Sequence, residues 1–164
     1  MDTQDQLEQN SQYLELIRAQ QTLLLSTVSE QGDPECSYAP YVRDQTGVFY
    51  IFVSELATHT RNMLAKACAS ILFIQSENEV QNLFARERVV FECTVSEVKP
   101  EEDRYQIQLQ MMEEKFGETV ALLRSLPDFH LLSLTPVSGK YIAGFGRAFS
   151  INVADGTLKQ VKIR

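Results

Sequence analysis

The sequence predicts a mainly β domain, an antiparallel barrel with a few inserted helices. Three observations carry that expectation. Short apolar runs rich in β-branched and aromatic residues recur, among them Val48–Val53, Ile71–Ile74 and Arg88–Val98. Turn residues separate several of them, as at Gln31-Gly32-Asp33-Pro34, Asp44-Gln45-Thr46-Gly47 and Pro136-Val137-Ser138-Gly139. Helical periodicity falls only in the stretches between. At 164 residues and 44% hydrophobic, the chain suits one core, so a single domain over 1–164 is expected.

Taken in order, residues 1–12 are polar and read as a flexible N-terminus. Tyr13, Leu14 and Ile17 predict a short helix over 13–22. Leu23–Ser29 reads as a buried strand, Glu35–Val42 as its partner and Val48–Val53 as the third strand of a meander. Thr58, at a plausible N-cap, opens a helix to Lys66. Ser70–Gln75 and Arg88–Val98 return to strand. Pro100 starts a helical stretch through Ile107, Met112 and Phe116, which Gly117 interrupts. Val120–Leu126 is a second short helix, stopped by Pro127. Phe129–Leu134 and Lys140–Ile151 are expected as two separate strands, for about seven in all, and 152–164 as a C-terminal tail.

Charge and composition exclude several roles. A formal net charge of -7 disfavours broad nucleic-acid binding, which needs cations to displace phosphate counterions. No apolar run approaches the ~20 residues of a membrane-spanning helix, and Met1–Asn10 lacks the pattern of a secretory signal. A cytoplasmic protein is the expectation. Cys36, Cys68 and Cys93 are widely spaced and form no CxxC, so they read as reduced thiols. With His59 and His130 the only histidines, no metal centre and no nucleophilic triad emerges, and no catalytic residue can be assigned.

Four stretches carry chemistry. Ser54-Glu55-Leu56-Ala57-Thr58-His59-Thr60-Arg61-Asn62 runs from a strand end into a helix start. There, unpaired N–H groups, a hydroxyl cap and two basic side chains suit a phosphate or carboxylate; a capped surface helix is the plain alternative. Arg86-Glu87-Arg88 puts two arginines on one strand face, which repel unless an anion or solvent satisfies them. Gly144-Phe145-Gly146-Arg147 reads as a bulge or barrel corner, with Arg147 a third anion contact. In Ser37-Tyr38-Ala39-Pro40-Tyr41, Pro40 marks an edge or bulge, and the tyrosines suit a planar ligand or a subunit contact.

These segments, with Phe116-Gly117-Glu118 and Pro127-Asp128-Phe129 between them, occur in the order seen in a known family. From about Leu23 to Ile151 the chain resembles the pyridoxamine-phosphate-oxidase-like, FMN-binding split β-barrels, in their haem-utilisation (HugZ/HutZ-like) branch. The resemblance implies a homodimer with a cofactor in each of two interface clefts: FMN, or alternatively haem. It implies cofactor contacts from Thr58, His59, Arg61, Asn62, Arg86, Arg88, Ser54 and Tyr38. Were haem bound, Arg88 would lie by it and Asp128 would support an axial histidine of the other subunit. Two features depart from the family. Asn152–Arg164 holds no histidine to match the haem ligand of haem-degrading relatives, and the chain has no tryptophan, which argues against vitamin B6 oxidation. The implied function is therefore an FMN-dependent oxidoreductase, with a haem-degrading enzyme or a non-catalytic haem or flavin carrier as alternatives.

Overall fold

The structure, a computed structural model, describes residues 3–161. Helix α1 (Thr3–Arg18) leads into β1 (Thr22–Val28), β2 (Pro34–Pro40), β3 (Val42–Arg43) and β4 (Phe49–Ser54). Then come α2 (Thr58–Lys66), β5 (Cys68–Ile74), two 3₁₀ turns, β6 (Arg88–Val98), α3 (Asp103–Phe116) and α4 (Glu118–Arg124). Strands β7 (Phe129–Gly144), β8 (Arg147–Ile151) and β9 (Leu158–Gln160) complete one antiparallel sheet. Its order is β2-β1-β5-β6-β7-β4-β3, with β8 and β9 extending from β7. No helix among the described residues is long and apolar enough to cross a membrane.

The antiparallel barrel is as expected, but its connections differ in four places. First, the helix expected over 13–22 runs from Thr3 to Arg18; residues 1–2 of the N-terminal segment and 162–164 of the tail lie outside the described residues. Tyr13 and Ile17 are buried and anchor the whole of α1. Second, the third strand does not join a meander: β4 pairs with β7 and β3, not with β2. At Pro40 the chain leaves one sheet edge, and through Tyr41 it reaches β3 at the other edge, closing the barrel covalently. Buried Tyr41 fixes that crossing, its hydroxyl donating to the Ile17 and Gln20 carbonyls at 2.7 and 2.9 Å.

Third, the strand expected at Phe129–Leu134 runs on to Gly144, taking in the start of the one expected at Lys140–Ile151. Pro136 is tolerated inside β7 because β4 pairing ends at Leu134 and β8 pairing begins at Gly139, leaving no ladder on that side. Gly139 is required there, since a Cβ would lie 2.9 Å from the Phe91 ring. The reversal comes instead at Gly144-Phe145-Gly146, where Gly146 takes a φ of 72°. Fourth, β9 falls in what was read as a tail and pairs with β8.

Two cores result. The barrel interior is lined by the alternate residues of each strand, with Phe49, Phe73 and Phe91 at its centre. Helices α3 and α4 cover β4 and β7 from outside, burying Tyr50, Phe52, Leu109, Met112 and Leu131. Residues 49–53 are therefore buried on both faces, which explains why that run is apolar without alternation.

Candidate functional site

At the end of β4 the chain turns from Ser54 into α2. The Ser54 hydroxyl donates to Asp128 Oδ2 at 2.5 Å and accepts from the Leu56 amide at 3.1 Å. The Glu55 amide adds a bond to the Asp128 carbonyl at 2.8 Å. Arg61 folds back over this turn: Nη1 donates to the Glu55 and Leu56 carbonyls and Nη2 to Thr58 Oγ1. That engages three of its five N–H donors, on an exposed side chain. Ser54, Thr58, Arg61 and Asp128 thus form one hydrogen-bonded unit.

The helix itself departs from expectation. Its N-cap is Ala57 rather than Thr58, and no side chain caps it, so its first amides are left for another acceptor. Asn62 is buried and donates to Thr27 Oγ1 at 3.1 Å, tying α2 to β1 rather than facing a ligand. His59 is half-buried and makes no hydrogen bond among the described residues; burial lowers its pKa, countered in part by Glu35. It stays neutral near pH 7, the form in which an imidazole nitrogen can coordinate or accept.

Sequence reasoning missed the pair of carboxylates around His130. Nδ1 lies 2.6 Å from Glu97 Oε1, and Nε2 lies 2.5 Å from Glu55 Oε1. Partial burial opposes the imidazolium, but the two carboxylates outweigh it and raise its pKa. Glu97 is lowered: burial opposes its charge, and bonds from Lys99 and His130 prevail. The period-2 pattern of β6 puts Glu97 at the outer end of the strand, but nothing in the sequence shows which residue it meets.

The sign of the pH effect follows. His130 contributes stability fully below its unfolded value near 6.5 and loses it as pH rises through the higher folded value. Glu97 contributes above its unfolded value and loses it as pH falls through the depressed one. Neutral imidazole keeps one N–H, so one of the two bonds goes on deprotonation. The Tm difference between wild type and His130→Gln should be greatest between those limits and shrink on either side; a difference constant from pH 4 to 9 would refute the assignment.

The second group of predicted residues lies elsewhere. Arg86 sits ahead of β6, closing the 3₁₀ turn at Leu83–Ala85, so it does not share a strand face with Arg88 as expected. Its Nε and Nη2 donate to the Gln75 carbonyl at 2.9 and 2.6 Å, bracing the loop between β5 and β6. Arg88 Nη1 donates to the Arg86 carbonyl at 3.1 Å. Glu87 does point the other way, accepting from the buried Tyr141 hydroxyl at 2.8 Å. Beside these arginines, Phe84 and Phe145 are 89% and 81% exposed, and Arg147 is exposed on the β7–β8 hairpin.

The two groups stand at opposite ends of one barrel. Arg88 pairs with Ile142, whereas Val98 pairs with Leu131, next to His130 and Asp128. The ten residue steps along β6 between these rungs span roughly 30 Å. Tyr38 lies between the ends, 63% exposed on the outer face of β2. It begins a cross-strand row whose register runs Tyr38–Leu24–Leu72–Val90 through β2, β1, β5 and β6. Four apolar side chains in line on an outer sheet face are unusual for a surface left in water.

The family model described as pyridoxamine 5'-phosphate oxidase matches residues 10–143. Heme oxygenase HutZ of Vibrio cholerae serotype O1 is 37% identical over 141 residues, which are 86% of this chain and 80% of HutZ. A crystal structure of HutZ from Vibrio cholerae, described as a heme storage protein, superposes with a TM-score of 0.72 at 36% identity, covering 77% of this chain and 88% of that one. The crystal structure of Campylobacter jejuni ChuZ gives a TM-score of 0.82 at 27% identity, covering 94% of this chain and 62% of that one. The barrel is the split β-barrel of these proteins, and with a match over most of its length the chain belongs to the pyridoxamine 5'-phosphate oxidase family, in its HutZ-like branch.

Proposed function

We propose that the protein binds haem in haem utilisation, as a cytoplasmic homodimer whose two clefts each combine the α2 end of one copy with the arginine end of the other. The observation that carries this reading is the split of the candidate residues between opposite ends of one barrel, with the apolar row Tyr38–Leu24–Leu72–Val90 on an outer sheet face. A two-fold axis through that row sets each α2 end against a partner's arginine end. Arg86, Arg88 and Arg147 gather at one end, and Arg61, with Glu55 and Asp128, at the other.

The residues present fit a haem. Its ring needs apolar walls, which exposed Leu56, Phe84 and Phe145 supply, and its two carboxylates need cations, which Arg88 and Arg147 supply. Asp128 Oδ1 carries no hydrogen bond among the described residues and is free to accept one from a donor in the cleft. Bound haem would supply an iron centre capable of oxygen and electron chemistry. This chain's part is to hold the ring between apolar side chains, neutralise its carboxylates and keep His59 unprotonated beside it.

A second reading, FMN in the same cleft, is favoured by the uncapped α2 N-terminus with exposed Thr58 and Arg61, a place suited to a phosphate. Separate titrations with haemin and FMN decide between them. Haem binding gives a sharp Soret band at one haemin per subunit with no retained flavin. A retained flavin spectrum without a Soret shift would overturn the haem reading in favour of FMN.

A further inference from the structure

A cavity of about 1170 Å3 opens between α1, the β3–β4 turn, the C-terminal end of α3 and the β8–β9 hairpin. It is lined by none of the residues assigned above to the cofactor cleft. Its walls are fixed: Tyr13 donates from its hydroxyl to the Gly156 carbonyl at 2.9 Å, and Tyr41 to the end of α1. Leu14, Ile17, Val42, Val48, Met111 and Ile151 give it an apolar side.

Three cations line it: Arg18, Arg43 and Lys115. Arg18 and Lys115 each lie in the last turn of a helix, where a positive charge is favourable in itself. Lys115 also donates to the Tyr41 carbonyl at 2.8 Å. Arg43 has no such reason. It is half-buried, stacks over Phe49 at 5.1 Å, and forms no salt bridge or side-chain hydrogen bond among the described residues; its Nε is buried without a partner. Burial lowers its pKa, with Tyr13, Tyr41 and Asp44 opposing the shift and Arg18 adding to it.

Three acids also line the cavity, Asp44, Glu114 and Asp155, and none forms a salt bridge with Arg43 among the described residues. Both oxygens of Asp44 are taken, by the Thr46 and Val48 amides, the Thr46 hydroxyl and Tyr50. Asp155 Oδ1 accepts from the Thr157 amide and hydroxyl, and Glu114 Oε1 accepts from Gln110. A partly desolvated guanidinium with a buried N–H left without an acceptor is costly, and a carboxylate entering the cavity would relieve it.

We infer that this cavity is a second ligand site, separate from the cofactor cleft, for an amphipathic organic carboxylate whose head group pairs with Arg43 and Lys115 while its apolar body lies along α1 and Met111. The cavity is large enough for a small organic ligand, and an apolar side together with cations on the same lining is the chemistry such an anion needs.

Isothermal titration with dodecanoate, dodecanol and inorganic phosphate tests it. Dodecanoate should bind once per chain, at least tenfold tighter than dodecanol or phosphate. Arg43→Met and Lys115→Met should each weaken dodecanoate at least tenfold and leave haemin binding unchanged. Arg43→Met should also hold or raise Tm, because it removes an unpaired charge without emptying the space. Arg88→Ala should leave dodecanoate affinity as in wild type. No dodecanoate binding, equal binding of dodecanol or phosphate, unchanged affinity in Arg43→Met, or loss in Arg88→Ala would each overturn the proposal.

Discussion

Phe49→Ala should lower the free energy of unfolding by about 3–5 kcal/mol, the range for removing a buried aromatic ring. Phe49 has no exposed surface, and the rings of Tyr41, Phe73 and Phe91 surround it at centroid distances of 5.6, 5.5 and 5.7 Å. Arg43 caps its face. It also stands at the seam, paired with Arg43 on one side and Leu134 on the other. The barrel closes there through only two residues of β3, so a cavity at Phe49 loosens the closure as well as the core. The surrounding rings come from β5, β6 and the crossing between β2 and β3, and cannot collapse together into the gap. Urea denaturation measures the effect; a loss below about 1.5 kcal/mol would mean that the seam is held mainly by its backbone.

Leu72→Asp should abolish dimerisation and weaken haemin binding at least a hundredfold while leaving the fold intact. Leu72 is half-buried on the outer sheet face, aligned with Leu24 on one side and Val90 on the other. In the free subunit a carboxylate there can reach water. At the centre of a dimer interface it would be an unpaired buried charge, with a second one across the two-fold axis. Sedimentation analysis should show a monomer with an unchanged far-ultraviolet spectrum. A variant that remained dimeric with wild-type haemin affinity would place the interface elsewhere.

Local signals carried most of the secondary structure. Strand β6 over Arg88–Val98 and helix α2 over Thr58–Lys66 fall at the expected residues, since both have clear periodicity and clear ends. What the sequence hid was pairing. Whether Val48–Val53 joins β2 or β7 depends on Tyr41 being drawn inward by the end of α1, a contact with no signature in a local window. Pro136 and Gly139 look like a turn because they are turn residues. Their use inside β7 rests on an unpaired sheet edge and on the closeness of Phe91, both products of the assembled barrel.

The candidate site was legible as segments but not as an arrangement. Arg61 and Asp128 were both singled out, and they meet through Ser54 and the turn to α2. Arg86 was read as half of an arginine pair, yet it holds the Gln75 carbonyl, a partner eleven positions earlier that alternation does not reveal. Asn62, chosen for the same helix, is spent on Thr27. The Glu55–His130–Glu97 group needs β4, β6 and β7 side by side, so no single stretch contains it.

The shared cleft is tested most directly by heterodimers purified through two different tags. One copy carries Arg61→Ala with Asp128→Ala at its α2 end, and the other carries Arg88→Ala with Arg147→Ala at its arginine end. That pairing leaves one cleft wholly intact and puts all four changes in the other, so it should bind one haemin per dimer. Placing all four changes in one copy, beside a wild-type partner, damages both clefts and should bind none. Equal haemin stoichiometry in the two heterodimers would contradict a cleft built from opposite ends of two chains.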